Sequence, residues 1–208
     1  MSHITHFLVV SFFVCVSFAD KFVTCGSAVK LTHVESGGKY YLHSENKNLG
    51  GGSGQQIVTL IPEKSTTSTL WWIREAHDDE YCITTSSIKC GSKIRLTHLD
   101  TMRNLHTHAH TSPLSRQQEI SAFGNDGNGD AMDDWIVECS TGNWKRDTNI
   151  RLLHVGTQKY LGGSSQVQFN QQNCGGGCPI MNHLEAFGRQ RADAFSEFKA
   201  ELGVYLFK

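Results

Sequence analysis

One pattern occurs three times along this chain. Cys25-Gly-Ser-Ala-Val-Lys-Leu-Thr-His33 returns as Cys90-Gly-Ser-Lys-Ile-Arg-Leu-Thr-His98, and more loosely as Asp147-Thr-Asn-Ile-Arg-Leu-Leu-His154. In each copy an aliphatic residue (Val29, Ile94, Ile150), a leucine (Leu31, Leu96, Leu152) and a histidine (His33, His98, His154) fall at alternate positions. Period-two alternation places them on one face of a strand. Behind each histidine come a turn and a second strand, in Tyr40-Tyr-Leu-His43, Asn104-Leu-His106 and Tyr160-Leu161. Further on, Trp72-Ile-Arg-Glu75 aligns with Trp135-Ile-Val-Glu138. Phe198 takes the aromatic place in the third copy, before the closing Gly203-Val-Tyr-Leu-Phe207. Three matches in the same order exclude coincidence.

Units of about fifty-five residues, each with several short strands, leave few architectures. Propeller blades are shorter and number at least four, and a solenoid needs uniform coils with capping units. Three equivalent units closing into one barrel make a β-trefoil, and closure removes free strand edges. The expected fold is therefore all-β, a β-trefoil with pseudo-threefold symmetry occupying 20–208, with repeats at approximately 22–78, 87–140 and 146–208. Its common core would hold the repeated aliphatic and leucine positions, with Trp72, Trp135 and Phe198 as aromatic plugs. Twenty glycines against three prolines suit a chain of many tight turns.

Residues 1–19 are a different material. From Phe7 to Phe18 only Ser11 and Ser17 are polar. A bilayer span takes about twenty apolar residues, so this run is too short. Ser17 and Ala19 put small side chains where a signal peptidase needs them, ahead of a cut before Asp20. A signal peptide is expected at 1–19, and no other segment could cross a membrane. Six cysteines then remain, Cys25, Cys82, Cys90, Cys139, Cys174 and Cys178. An even count in an oxidising compartment reads as disulfides. Connectivity stays open in sequence; spacing favours Cys82–Cys90 across a hairpin, Cys174–Cys178 around a small loop, and Cys25–Cys139 as the remaining pair.

The Leu-Thr-His and Trp positions resemble the MIR repeat of protein O-mannosyltransferases and of inositol trisphosphate and ryanodine receptors. A longer set is more specific: Ile94-Arg-Leu-Thr-His98, Arg103-Asn-Leu-His106, Ser112-Pro-Leu-Ser115, Gln118-Glu-Ile-Ser-Ala-Phe-Gly124 and Asp133-Asp-Trp135. This set resembles the stromal cell-derived factor 2 family, over nearly all of 20–208 and most strongly from Cys82 to Cys139. The resemblance implies three MIR repeats in the endoplasmic reticulum lumen. It also implies a non-catalytic role beside a J-domain cochaperone and Hsp70, in folding and quality control of secretory clients. Relatives often end in a retrieval signal of the His-Asp-Glu-Leu type, whereas this chain ends Tyr205-Leu-Phe-Lys208. The expected location is accordingly the endoplasmic reticulum lumen, by a bound partner, or the exterior.

A net charge of −1 argues against nucleic acid or an anionic membrane as partner, since both call for excess Lys and Arg. His106, His108 and His110 alternate along one strand face, as a zinc site requires, but the better reading is a solvated rim, and no metal or cofactor is assigned. The strand-end histidines His33, His98 and His154 are expected to bond neighbouring loop backbone. Asp126, Asn128 and Asp130 imitate the start of a calcium loop, yet Ala131 stands where glycine should and Val137 where glutamate should. An acidic turn is expected instead. Phosphate-cradle, nucleophile-elbow and zinc-hydrolase motifs are missing, so the chain is read as no enzyme. The rival binding role is that of a lectin, with Tyr40, Tyr41, Asn104 and Tyr160 at equivalent turns to stack on or bond a sugar, and with His106, His108 and His110 completing the candidate surface.

Overall fold

The alternating segments form the inner strands of the fold. In a computed structural model describing residues 21–64, 66–79, 81–140 and 142–207, each repeat contributes four strands. The first supplies β1 (Ala28–His33), β2 (Tyr40–Asn48), β3 (Gln56–Ile61) and β4 (Trp71–Glu75). The second supplies β5 (Lys93–His98), β6 (Arg103–Thr111), β7 (Gln118–Phe123) and β8 (Trp135–Glu138). The third supplies β9 (Arg151–His154), β10 (Tyr160–Gln168), β11 (Leu184–Arg189) and β12 (Phe198–Val204), with one helical turn, α1 (Gln171–Cys174), between β10 and β11. The signal-peptide segment lies outside the described residues.

Six strands close a ring. β1 pairs with β4, β4 with β5, β5 with β8 and β8 with β9, all antiparallel. Ile150, just ahead of β9, exchanges two backbone hydrogen bonds of 2.8 and 3.0 Å with Phe198 of β12, and β12 returns to β1. The other six strands form the hairpins β2–β3, β6–β7 and β10–β11, whose second strands pair with one another in a triangle. The architecture is a β-trefoil. Val29, Ile94, Ile150, Leu31, Leu96 and Leu152 all lie in one buried cluster. Each such side chain taken from water contributes about 1.5–3 kcal/mol.

The aromatic plug of the first repeat is Trp71, not Trp72. Register decides it: Trp71 faces His98, as Trp135 faces His154 and Phe198 faces His33. Trp71 Nε1 donates to the Leu42 carbonyl at 3.0 Å, and Trp135 Nε1 to that of Leu105 at 2.9 Å. Trp72 turns to the opposite face, where the Arg74 guanidinium lies 4.8 Å from its ring. With two adjacent tryptophans, matching letters slipped the alignment by one residue, and in a strand that reverses every side chain.

Two of the spacing-based disulfides are also corrected. The bonds are Cys25–Cys82, Cys90–Cys139 and Cys174–Cys178. The segment between Cys82 and Cys90 is not a hairpin closing on itself. It docks outward instead, Cys25 donating its N–H to the Ser86 carbonyl at 2.9 Å and Cys90 to that of Gly142 at 2.8 Å. Cys90–Cys139 thus staples the beginning of the second repeat to its end, and Cys25–Cys82 ties the beginning of the first to the segment that follows β4.

These corrections give two checks. Trp71→Ala should cost about 3–5 kcal/mol in denaturant unfolding, while Trp72→Ala costs about 1 kcal/mol; equal losses would return the plug to Trp72. Loop-closure entropy assigns about 4 kcal/mol to each long disulfide and about 2 kcal/mol to the short one. Removing Cys174–Cys178 should therefore lower the melting temperature least, and peptide mapping without reductant should recover the Cys25–Cys82 and Cys90–Cys139 pairs.

Candidate functional site on the second hairpin

Every repeat ends its hairpin with a short 3-10 turn ahead of the plug, at Thr67–Thr69, Ala131–Asp133 and Ala194–Ser196, capped by Thr66, Asp130 and Asp193. The middle carbonyl of each turn accepts a hydrogen bond from a strand-end histidine of the next repeat. His98 Nε2 reaches Ser68 at 2.9 Å, His154 Nε2 reaches Met132 at 2.9 Å, and His33 Nε2 reaches Phe195 at 3.1 Å. The same imidazoles pack on Trp71, Trp135 and Phe198 with ring centroids 5.0–5.1 Å apart. Thr101 and Thr157 hydroxyls occupy the Nδ1 atoms of His98 and His154 at 2.9 Å. His33 has Ser36 at the matching position, and that hydroxyl bonds the His33 carbonyl instead.

Upon this frame the second repeat builds something the others lack. Asp133 is fully buried. Its Oδ2 accepts the Asp130 backbone N–H at 2.9 Å and the Asn104 amide at 3.0 Å. As a carboxylate its Oδ1 accepts from His106 Nδ1 at 2.8 Å, which leaves the His106 Nε2 lone pair facing away, toward His108 Nδ1 at 3.1 Å. Thr97 donates to the Asn104 carbonyl oxygen at 2.7 Å and fixes the amide. Gly129 is required here, since a Cβ would stand 1.7 Å from Asp133 Oδ2. The first repeat has Thr69 in place of Asp133 and the third has Ser196, while Gly162 replaces the histidine in the third.

The candidate surface is only partly a surface. Tyr41, Asn104 and His106 are buried, so none of them offers a face for stacking. Tyr40, Tyr160 and His108 are half-buried and His110 is exposed. Register makes Tyr41, Asn104 and Tyr160 equivalents, while Tyr40 corresponds to Arg103 and Lys159. The four polar and aromatic positions therefore do not form three like pockets. His106 belongs to an internal network rather than a solvated rim. Of the acidic turn, Asp130 is the N-cap, accepting from Met132 N–H at 2.8 Å, and Asp134 accepts from His77 N–H at 2.7 Å.

Two features gave little sign in the sequence. Thr59 bridges His43 Nδ1 and His183 Nδ1, each 3.0 Å from its hydroxyl. The His43/His106 repeat match marks the first of these, but His183 sits in the irregular third loop. At the hairpin triangle, Glu185 accepts from the N–H groups of Leu114 and Ser115 at 2.7 and 2.8 Å, and Glu119 from Ser53 at 3.1 Å. The matching position in the first repeat is Ile57, which packs on Phe169 and Ile180 beside Cys174 and Cys178.

Burial is the main cause that lowers the pKa of His33, His98, His154, His108 and His183. His43 is pushed down to about 3, by burial first and then by His183, His98 and Lys47. A histidine depressed in the folded state contributes stability that is present above the unfolded value of about 6.5 and lost as pH falls. Each contributes a slope of about 1.4 kcal/mol per pH unit between its unfolded and folded values. Asp134, raised by burial, acts in the opposite sense. Denaturant midpoints should fall between about pH 7 and pH 5, and a flat profile there would mean the imidazoles are not held neutral.

Comparison with known proteins places the fold. A MIR domain matches residues 40–138, from β2 through β8. Stromal cell-derived factor 2-like protein 1 of Bos taurus is 40% identical over 184 residues, covering 88% of this chain and 78% of the relative. The crystal structure of the SDF2-like protein from Arabidopsis thaliana aligns with a TM-score of 0.79 at 35% identity, covering 89% of this chain and 98% of that one. The S. cerevisiae protein O-mannosyltransferase Pmt1–Pmt2 complex bound to the sugar donor contains a similar region, with a TM-score of 0.74 and 28% identity. That match covers 89% of this chain but 26% of the yeast one. The trefoil is thus of the MIR type. The chain belongs to the stromal cell-derived factor 2-like family. Among the described residues no helix is long and apolar enough to cross a membrane.

Proposed function

We propose that this protein is a non-catalytic binding module of the secretory pathway, accessory to the Hsp70 and J-domain chaperone system of the endoplasmic reticulum lumen. The observation that carries the reading is family membership along the trefoil, with a 40%-identical alignment that covers 78% of the Bos taurus relative. Three disulfides suit an oxidising compartment, and the signal-type segment at 1–19 fits entry into it.

An exposed apolar surface supports a binding role. Tyr81 and Ile83 flank Cys82, which is bonded to Cys25. Exposed Val204 pairs with Ala28, and Leu206 N–H donates to Ser27 Oγ at 3.0 Å. Each of these exposed side chains is tied to the Cys25–Ala28 segment by a neighbouring bond or pairing, and exposed large apolar side chains held near one another are candidates for interaction. A lumenal pulldown should recover a J-domain protein and Hsp70 with the wild type and less of both with Ile83→Ser/Val204→Ser. Recovery of neither by the wild type would end the proposal.

The likeness to the sugar-donor-bound mannosyltransferase favours a second reading, carbohydrate binding. Half-buried Tyr40 and Tyr160 are the aromatic faces left to serve it. A glycan array should then give mannose-type signals that weaken with Tyr160→Ala, and a blank array would dispose of this alternative.

A further inference from the structure

The repeats meet at three junctions, and the same cation position serves each. Lys30, Arg95 and Arg151 follow the aliphatic residue of the repeated motif. Lys30 Nζ donates to the carbonyls of Lys64 and Thr66 at 2.6 and 2.5 Å, and Arg95 Nε to that of Glu75 at 2.9 Å. Arg151 Nε has no hydrogen-bond partner among the described residues, although the atom is shielded from water. A guanidinium N–H left dry and unbonded is costly, so the junction of the second and third repeats is the unfinished one.

The first and second repeats show what completes such a junction. Between Glu75, the last residue of β4, and Cys82 lie six residues, whereas Cys139 follows directly on Glu138 of β8. The extra chain folds back beside Arg95. Ala76 is buried, His77 N–H donates to Asp134 at 2.7 Å, and Asp79 pairs with Lys93 at 2.9 Å. Register makes Glu197 the counterpart of Asp134, since each precedes a plug, Phe198 paired with Ile150 and Trp135 with Ile94. The Glu197 carboxylate is held by Arg151 and, at 2.8 Å, by Asn149, which leaves lone pairs for the N–H that a chain in this place would bring. Instead of that chain there is an open cavity of about 550 Å³, with Gly91, Glu138, Cys139, Asn149, Arg151 and Glu197 in its walls. A Cβ on Gly91 would meet nothing within 4 Å, whereas on the matching Gly26 it would meet Leu206 and Thr84 at 3.1 Å.

We propose that this cavity binds a short extended segment of another polypeptide, basic rather than acidic, whose main chain takes the place that residues 76–79 hold at the sister junction. A main-chain N–H of the segment donates to Glu197, as that of His77 does to Asp134, and a small side chain enters where Ala76 is buried. A carbonyl of the segment accepts from Arg151 Nε once that side chain, 30% exposed, turns the nitrogen toward it. Charge sets the preference. At the sister junction Arg74, Arg95 and Lys93 stand with Glu75, Asp79 and Asp134, and the docked segment is acidic. Here Glu138 and Asn149 hold the places of Arg74 and Lys93, so two carboxylates surround a single guanidinium. Neither Tyr81 nor Ile83 lines the cavity, so the site is additional to the apolar surface they form.

The test uses the tag-free mature protein, isotope-labelled and titrated by NMR with two capped peptides, acetyl-Lys-Ala-His-Lys-amide and its acidic twin acetyl-Glu-Ala-His-Asp-amide. The basic peptide should shift the amides of Gly91, Ser140 and Arg151 and bind about tenfold more tightly than the acidic one at low salt, with the gap closing as salt rises. Methylating its alanine and histidine main-chain nitrogens should weaken it about tenfold, the loss expected for a hydrogen bond to a charged acceptor. Glu138→Arg with Asn149→Lys, which copies the sister junction's charges, should reverse the preference, and Asn149→Lys alone should narrow it. Absence of shifts at these amides with the basic peptide overturns the site. Equal binding of the methylated peptide overturns main-chain recognition, and an unchanged preference in the variants overturns the charge assignment. Shifts at the same amides from methyl mannoside, with both peptides silent, make the cavity a sugar pocket and overturn the proposal as well. Melting curves establish that each variant is folded, and Asn149→Lys, on the exposed rim, decides the matter if the double variant is not.

Discussion

The fold turns on a hydrogen bond made three times around a circle. A buried histidine at the end of one repeat's first strand donates from Nε2 to a turn carbonyl of the repeat before it, and its ring lies on that repeat's aromatic plug. The contact from His33 to Phe195 joins the first repeat to the last and completes the circuit. A buried imidazole without partners would be costly, so each repeat can bury its histidine only if its neighbour's turn is correctly formed. Local turn geometry and global closure are coupled by the same atom.

Divergence between repeats leaves the histidine–carbonyl bond and the ring contact in place. The plug is Trp, Trp or Phe, and the third repeat drops the indole donor while keeping the ring contact with His33. Two of the three hairpin clamps are glutamates that take up loop N–H groups, whereas the third is the apolar Ile57 against Phe169 and Ile180. That exchange accompanies the long loop of the third hairpin, with its own disulfide, in place of a tight polar turn. The buried carboxylate arises at a place where the sister repeats carry Thr69 and Ser196, both able to satisfy the turn but neither able to orient an imidazole by charge. A shared scaffold position thus orients a buried imidazole in one repeat and only closes the turn in the others.

Much of this was readable beforehand. Alternation of Val29, Leu31 and His33, repeated at Ile94, Leu96 and His98 and at Ile150, Leu152 and His154, predicts both the inner strands and the closed threefold arrangement. The motif from Arg103 to Trp135 points to the family. Reading failed where neighbours on the chain compete or where partners are distant. Trp71 and Trp72 are equally good letters, and only the pairing with His98 separates them. The cysteines give spacing but no direction, and backbone bonds from Cys25 and Cys90 to Ser86 and Gly142 determine which sulfurs meet.

The sequence by itself determined the repeat, its strand faces and its core, because period and side-chain polarity are local properties that burial then enforces. The tertiary structure alone decided the partners of Cys25 and Cys90, the plug register and the role of His106. That histidine alternates with His108 and His110 as a rim residue would, and twenty-seven positions separate it from Asp133. Only folding the 3-10 turn back beneath β6 brings the carboxylate to 2.8 Å, and at that distance a surface-looking imidazole becomes an oriented, buried one. Charge and hydrogen bonding act through space, and the chain's order does not record which distant atoms that space will hold.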